Sequence, residues 1–465
     1  MLNNNIALLR PQDRAPLRTP TPPRYRVYTA RNWRQMPQAA SLSEEQRFAV
    51  DVVAAVLPFR VDAYVVDELI DWDRVPDDPL FRLSFPQREM LDPQDFDRIA
   101  GILRKPKTNR EALQRAVREV RHKLNPHPAG QLELNRPRDE NGEVINGLQH
   151  KYRETVLFFP KAGQVCHSYC TFCFRWAQFV GDQDLKMAVD DTSRLHGYLA
   201  RHREVSDLLV TGGDPMVMST RRLREYLGPL EDPHFDHVQT IRIGSKALSF
   251  WPQRFVTDDD ADGLLRLFEQ LARRGKHIAL MAHLNHPNEM RTRIFETAVR
   301  RLRDAGVQIR TQAPLLANIN DDADAWVRMW RKQVRLGLVP YYMFVERDTG
   351  ARHYFEVPLH RAWNIYREAI SQVSGLARTA RGPSMSAGPG KVEIQGVTEI
   401  NGEKVFVLRF IQGRSADWVQ RPFFARYDEN ASWLDHLQPA FGEDRFFFED
   451  EYAALSRPRH PIELN

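Results

Sequence analysis

At 465 residues the chain can bury a large core in more than one layer of structure. Its 66 lysines and arginines stand against 61 acids, a net charge of +5 that is too small for this length to imply a dedicated nucleic-acid binder. No run of 18 apolar residues occurs, which excludes a transmembrane helix.

The first 25 residues, MLNNNIALLRPQDRAPLRTPTPPRY, are proline-rich and lack the charged-then-apolar pattern of a secretory signal. They read as an extended arm, wrapped on a neighbour or mobile, and a cytoplasmic location is expected. Residues 43–58 (SEEQRFAVDVVAAVLP) combine a capping serine, early acids, an apolar stripe and a closing proline, which predicts a helix. A second helix is predicted over 109–124, where Leu113, Ala116, Val117, Val120 and Leu124 share one face. Its other face carries Arg110, Arg115, Arg118 and Arg121 and reads as solvated. A loop ends this N-terminal arm and helical region, 1–147.

The pattern then alternates. Short apolar runs at 155–159, 207–211, 240–243, 277–281, 307–312 and 340–344 read as buried strands, with helical patterns such as ADGLLRLFEQLARRG between several of them. Such repetition predicts an α/β fold with a parallel sheet and crossover helices, open or closed as a barrel. Chemistry in these sheets gathers at the C-terminal strand ends. This core covers 148–384. From 385 to 465 short strands such as KVFVLRF and an aromatic tail predict an α+β extension.

The chain's three cysteines all fall in VCHSYCTFCFRW, as Cys166, Cys170 and Cys173, just after the first of these strands. Thiolates hold iron–sulfur clusters, and a cubane of four irons usually takes four of them. Three thiolates leave one iron without a protein ligand, and an open position is what a catalytic metal keeps for substrate. A disulfide would strand one thiol, and a structural zinc would need a fourth ligand such as His167 or His286. The run TGGDP, 211–215, follows the second strand directly. Its paired glycines let a backbone approach a ligand closely, although such a run alone is often only a turn.

The cysteine spacing resembles that of the radical S-adenosylmethionine (SAM) enzymes, in which SAM chelates the open iron of a [4Fe–4S] cluster and yields a 5′-deoxyadenosyl radical. That resemblance implies a partial (β/α)6 radical SAM barrel, which the six strands fit. It also makes Gly212, Gly213 and Asp214 the segment that meets the amino group of SAM. Five further stretches, HKY (150–152), IGSKALSFWPQR (243–254), HLNHPNE (283–289), PYYMF (340–344) and SAGPGK, narrow the resemblance to the lysine 2,3-aminomutase family over roughly 145–395. Lys391, which ends the last stretch, is then the lysine that holds pyridoxal 5′-phosphate (PLP). A tight glycine turn presents it, and its amine must be deprotonated to attack an aldehyde.

By the same resemblance Lys151 and Tyr152 belong to the segment that holds the PLP phosphate, with Thr155 where the family has an arginine. Arg175 takes the substrate α-carboxylate, as a guanidinium fork suits. His283 and Gln312 lie close to SAM. Two positions depart from the lysine-specific members, which grip the distal ammonium with aspartates: Ser384 and Arg347 stand there instead, with Glu346 and Asp348 flanking the second. An arginine repels an ammonium and attracts a carboxylate, so a glutamate-like or neutral amino acid is favoured over lysine. With no cysteine left for a C-terminal zinc site, no zinc is expected.

The implied function is movement of the α-amino group of a free amino acid to its β-carbon, with an electron donor such as flavodoxin or ferredoxin and a homo-oligomeric state as further expectations. No membrane or nucleic-acid partner is expected. The alternatives are a radical SAM enzyme on this scaffold without PLP, and a non-enzymatic iron–sulfur redox sensor.

Overall fold

A computed structural model of the protein describes residues 25–107, 109–181, 187–189 and 191–456; the proline-rich arm expected at 1–24 lies outside them. The first strand, β1 (Val27–Thr29), pairs antiparallel with β2 (Arg60–Asp62). Between them α1 (Glu44–Val56) begins with a reciprocal cap: Gln46 N–H donates to Ser43 Oγ at 3.1 Å, and Ser43 N–H donates to Gln46 Oε1 at 2.8 Å. Two further helices, α2 (Pro79–Ser84) and α3 (Pro93–Leu103), each start with proline behind an aspartate cap. The predicted arginine-rich helix is α4 (Arg110–Lys123), capped by Asn109.

Three of its four arginines are exposed as expected, and Arg121 is not. Its guanidinium donates to the carbonyls of Val56 at 2.8 Å and Ala55 at 3.1 Å, satisfying acceptors that the end of α1 leaves open. The apolar faces of these helices share one core, and Phe172 and Trp176 from the cysteine segment are buried in it.

The rest of the chain is organised by one sheet of 11 strands, adjacent in chain order. They are β3 (Leu148–Tyr152), β4 (Thr155–Phe158), β5 (Asp207–Val210), β6 (Thr240–Ser245), β7 (His277–His283) and β8 (Gln308–Leu315), then β9 (Val339–Val345), β10 (Arg381–Ser386), β11 (Gly390–Ile400), β12 (Glu403–Gly413) and β13 (Pro422–Arg426). The six predicted strands are β4 to β9, all parallel, with β10 a seventh beside β9. The run RGPSMS of β10 hides in sequence because it holds a glycine and a proline. Gly382 is needed there: at φ +140° a side chain would strike the Met343 carbonyl. From β10 to β13 the sheet continues antiparallel, without a break across residue 385.

Alternation along the strands separates two faces. Val156, Phe158, Leu208, Val210, Ile241 and Ile243 pack outward under the crossover helices. Leu209, Arg242, Gly244, His283, Arg310 and Gln312, out of phase with that face, are only half-buried. These strands are therefore apolar on one side and partly polar on the other, as strands around an occupied interior are. The sheet curls far enough that Lys151 on β3 donates from Nζ to the carbonyl of Ala387, just past β10, at 2.5 Å. The result is a partial barrel. No helix among the described residues is long and apolar enough to cross a membrane.

Candidate active site

The cysteine segment follows β4 and is gripped from two sides. From the N-terminal region, the carbonyls of Arg60 and Leu83 accept from Tyr169 N–H at 2.8 Å and Thr171 N–H at 3.0 Å, and Asp62 N–H donates to Ser168 Oγ at 2.8 Å. From the end of β5, Gly213 N–H donates to Gly163 O at 3.1 Å and Asp214 N–H to Val165 O at 2.9 Å. That contact explains the paired glycines. A side chain on Gly212, at φ +145°, would collide with Gln164, and one on Gly213 would lie 2.5 Å from the backbone N and O of Val165.

The Asp214 carboxylate is buried. It accepts from Ser245 Oγ at 2.8 Å, Lys246 N–H at 2.9 Å and Met216 N–H at 2.9 Å, and burial lifts its carboxyl to about 6. All three cysteines are free and half-buried. Burial pushes the Cys170 thiol up to about 12 and Cys173 to about 11, and holds Cys166 well above the usual range. Of the two candidate zinc histidines, His167 is buried 3.6 Å from Asp214 Oδ2, while His286 Nδ1 accepts from Asn288 N–H at 3.2 Å.

Beneath this loop runs a buried polar layer that the sequence reading did not assign. Lys246 Nζ, 7 % exposed, donates to Glu289 Oε2 at 2.7 Å and Asn285 Oδ1 at 2.9 Å. The other oxygen of Glu289 accepts the N–H groups of Asn285 and His286. Asn320 then donates to the Asn285 carbonyl at 2.9 Å and the Pro314 carbonyl at 3.1 Å. Ends of β6, β7 and β8 are thus tied by one charge pair and its hydrogen bonds, with the Asn285 amide nitrogen buried and unpartnered. The only sequence signal was that Lys246, Asn285 and Glu289 fall within the IGSKALSFWPQR and HLNHPNE stretches; Asn320 lies in neither.

On the same strand ends His283 and Gln312 are cross-strand partners. The His283 ring meets the Phe172 ring of the cysteine segment at 5.6 Å between centroids; burial, with Lys246 second, holds it neutral by lowering it to about 3. Arg175 lies with its guanidinium 4.2 Å from the Phe159 ring centre and 5.1 Å from that of Phe174, and Arg347 approaches Phe174 at 5.5 Å. Arg175 Nη1 and Arg347 Nε are buried without a hydrogen-bond partner. The loop carrying Arg347 is tied to the cysteine segment through Trp176 Nε1, which donates to Thr349 Oγ1 at 2.9 Å. Asp348 faces Asn125 instead, 3.2 Å from its amide, while Glu346 is buried with its carboxyl held well above the usual range, burial being the main cause.

Lys391 opens β11, directly across from Ser386 on β10. Gly390 is required by crowding, since a side chain there would strike the Gln412 carbonyl, while one on Gly388 would have to displace the Tyr452 hydroxyl. Lys391 Nζ donates to Gln412 Oε1 at 3.0 Å and lies 4.3 Å from the Tyr342 ring centre. Burial, then the charges of Arg242 and Arg381, bring its amine down to about 7, so much of it is unprotonated at neutral pH. Lys151 is pushed well below its usual value by burial and then by Arg414, Arg347 and Lys391. The Tyr152 phenol is raised by burial, while Arg414 and then Arg347 pull it the other way. Thr155 is committed elsewhere: its hydroxyl donates to Asp207 Oδ2 at 3.0 Å, and Asp207 is paired with Arg242. Ser384 is fully buried with its hydroxyl unpartnered.

The charges of Cys173 and Arg347 therefore act on Arg175, and those of Arg347 and Lys391 act on Lys151, while Asp348 and Glu346 act on Arg347. Among the described residues no three metal-ligating side chains converge on a single-ion position. The fit to a metal cluster rests on the donor set: three clustered, half-buried thiols that coordination would deprotonate. The fit to an acid substrate rests on the unpartnered donors of Arg175 and Arg347, and the fit to an anionic cofactor on Lys151 and Lys391, whose hydrogen-bond partners are uncharged oxygens.

No family model matches the chain. A protein of Aquifex aeolicus bearing the name "Putative L-lysine 2,3-aminomutase" is 32% identical over 397 residues, which is 85% of this chain and 91% of that protein. This chain belongs to the lysine 2,3-aminomutase family. The L-lysine 2,3-aminomutase of Escherichia coli is also 32% identical, over 51% of this chain and 66% of its own length. Among solved structures, a radical SAM methyltransferase from Sphaerobacter thermophilus is similar over 52% of this chain and 71% of its own, at 14% identity and a TM-score of 0.33.

Proposed function

We propose that this family member is a radical SAM, PLP-dependent 2,3-aminomutase acting on a free α-amino acid whose distal group is anionic or neutral. The observation that carries the reading is Lys391: a half-buried lysine at the start of β11, bonded to Gln412 and set over the Tyr342 ring, its amine brought down to about 7 by burial and two arginines, on the barrel whose strand ends support the cysteine segment. Cys166, Cys170 and Cys173 would hold a [4Fe–4S] cluster, with the Gly212–Gly213 turn, His283 and Gln312 around SAM. Lys391, Lys151 and Tyr152 would hold PLP. When bound, these groups supply the radical and the electron sink that the migration needs.

The rest is the chain's own work. Arg175 orients the α-carboxylate by its free donors. His283, kept neutral, adds no charge beside SAM. The apolar packing of Phe172 and Trp176 keeps water from the cysteine side.

Substrate choice turns on Arg347. Its unpartnered donor suits a distal carboxylate, Ser384 adds no charge, and Asp348 is turned away toward Asn125. One observation favours the opposite reading: Glu346 is buried beside Arg347, and an ammonium group would relieve it. Competition decides between them. Cluster-loaded protein with SAM, PLP and dithionite is given equimolar glutamate, lysine and neutral amino acids, and β-isomers are read by mass spectrometry. Preferential conversion of glutamate or a neutral amino acid is expected; clean conversion of lysine with the others untouched refutes the substrate assignment.

A further inference from the structure

Arg414 lies just past β12, the strand whose Gln412 accepts from Lys391. Its Nε donates to the Gly388 carbonyl at 2.9 Å, Nη1 to the Leu134 carbonyl at 3.3 Å and Nη2 to Asn135 Oδ1 at 2.6 Å. Lys151, from the opposite edge of the parallel sheet, donates to the preceding carbonyl, that of Ala387. Two cations thus hold consecutive carbonyls of one turn, the turn that presents Lys391.

Among the described residues no carboxylate acts on either of them. The charges that act on Lys151 are all positive, Arg414 first among them. The hydrogen-bond partners of both cations are carbonyl and amide oxygens, none of them charged. Clustered buried cations without a counter-charge are costly, and a doubly charged oxyanion relieves them. Of the five N–H groups of a guanidinium, these bonds take three, which leaves Arg414 one on each terminal nitrogen for an anion. In PLP the aldehyde and the phosphate arm leave adjacent ring carbons, so a ring bonded to Lys391 carries its phosphate close to this turn.

We propose that Arg414 is a phosphate-binding residue, closing with Lys151 on the phosphate arm of PLP. This rests on the reading of Lys391 given above. It goes beyond that reading by assigning a residue of the C-terminal strands to the cofactor, where Thr155 is occupied by Asp207.

The test compares PLP with pyridoxal, which lacks the phosphate, on full-length cluster-loaded protein. Each is titrated, trapped with borohydride, and counted on Lys391 by mass spectrometry. Wild type should take PLP at far lower concentration than pyridoxal, with inorganic phosphate competing against PLP. Arg414→Ala should need roughly 10–100-fold more PLP, while its pyridoxal titration moves by less than about twofold. Arg414→Lys, which keeps the charge and loses the fork, should fall between, and it carries the comparison if the alanine variant does not fold. Equal losses for PLP and pyridoxal would overturn the proposal and leave Arg414 a mere support of the turn, as would no loss of either. Labelling of Lys391 by neither compound in wild type would instead overturn the assignment of Lys391 itself.

Discussion

The cysteine segment and the lysine turn are two buried stretches that differ in the sign of what they lack. On the cysteine side burial raises all three thiols, and for Cys166 the nearby Asp214 carboxylate adds to the effect. On the lysine side burial lowers the amine, and Arg242 and Arg381 add to it. One side is short of positive charge, which a metal supplies, and the other of negative charge, which phosphate and carboxylate supply. They are also held differently. The cysteine segment hangs mainly on backbone hydrogen bonds from the N-terminal region and the Gly213–Asp214 backbone, whereas the lysine turn adds to one backbone bond, from Arg414 N–H to the Pro389 carbonyl, the side-chain grip of Lys151 and Arg414. The two halves should therefore load their ligands independently.

The largest effects come from removing one half at a time. Cys170→Ser should abolish iron loading, from about four irons per chain to none, and leave borohydride labelling of Lys391 by PLP intact. Lys391→Ala should do the reverse. Iron analysis and peptide mass spectrometry on both variants check this, and loss of both ligands in either variant would show that the halves are coupled.

Next is the layer beneath the cysteine side. Glu289→Ala leaves the buried Lys246 ammonium without its counter-charge and should destabilise the protein by about 3–5 kcal/mol. Denaturation midpoints measure it, and iron loading should fail at milder denaturant than PLP capture. Gly213→Ala pushes a methyl into the Val165 backbone and should cost about 1–3 kcal/mol with reduced iron uptake, again sparing the lysine side.

The smallest effect is a shift in pH dependence. Only the neutral amine attacks an aldehyde, so PLP capture should rise with pH through a midpoint near 7 and level off above it. Arg381→Gln removes a positive neighbour, which makes the protonated amine less costly. The midpoint should move up by roughly one unit and capture at pH 7 should slow accordingly. Rates of borohydride-trapped label from pH 6 to 9 test it; a downward shift would mean that Arg381 acts on Lys391 by some other route.

What could be read from sequence was local. Three cysteines in one window, a capping serine before an apolar stripe and six apolar runs each carry their signal within a few residues, and the helix and strands follow them. What escaped depends on partners far away. Arg121 belongs to a helix whose pattern assigns it to solvent, yet it closes the end of α1, 65 residues earlier. Lys246, Glu289 and Asn285 sit in matched stretches, but their pairing exists only once β6 and β7 lie side by side. Strand β10 hides behind its glycine and proline, and Arg414 reaches Asn135 across 279 positions. The polar inner face was missed for another reason: short runs rich in valine, leucine and isoleucine look buried on both sides, and only the curl of the sheet exposes one.

The central claim is that one molecule carries both a cysteine-held iron cluster and a PLP-bonding lysine. Anaerobically reconstituted protein, incubated with PLP, reduced with borohydride and digested, answers it in a single preparation. About four irons per chain with a pyridoxyl group on Lys391 is the predicted result. One tightly bound zinc and no iron, or a label that survives Lys391→Ala, would contradict it.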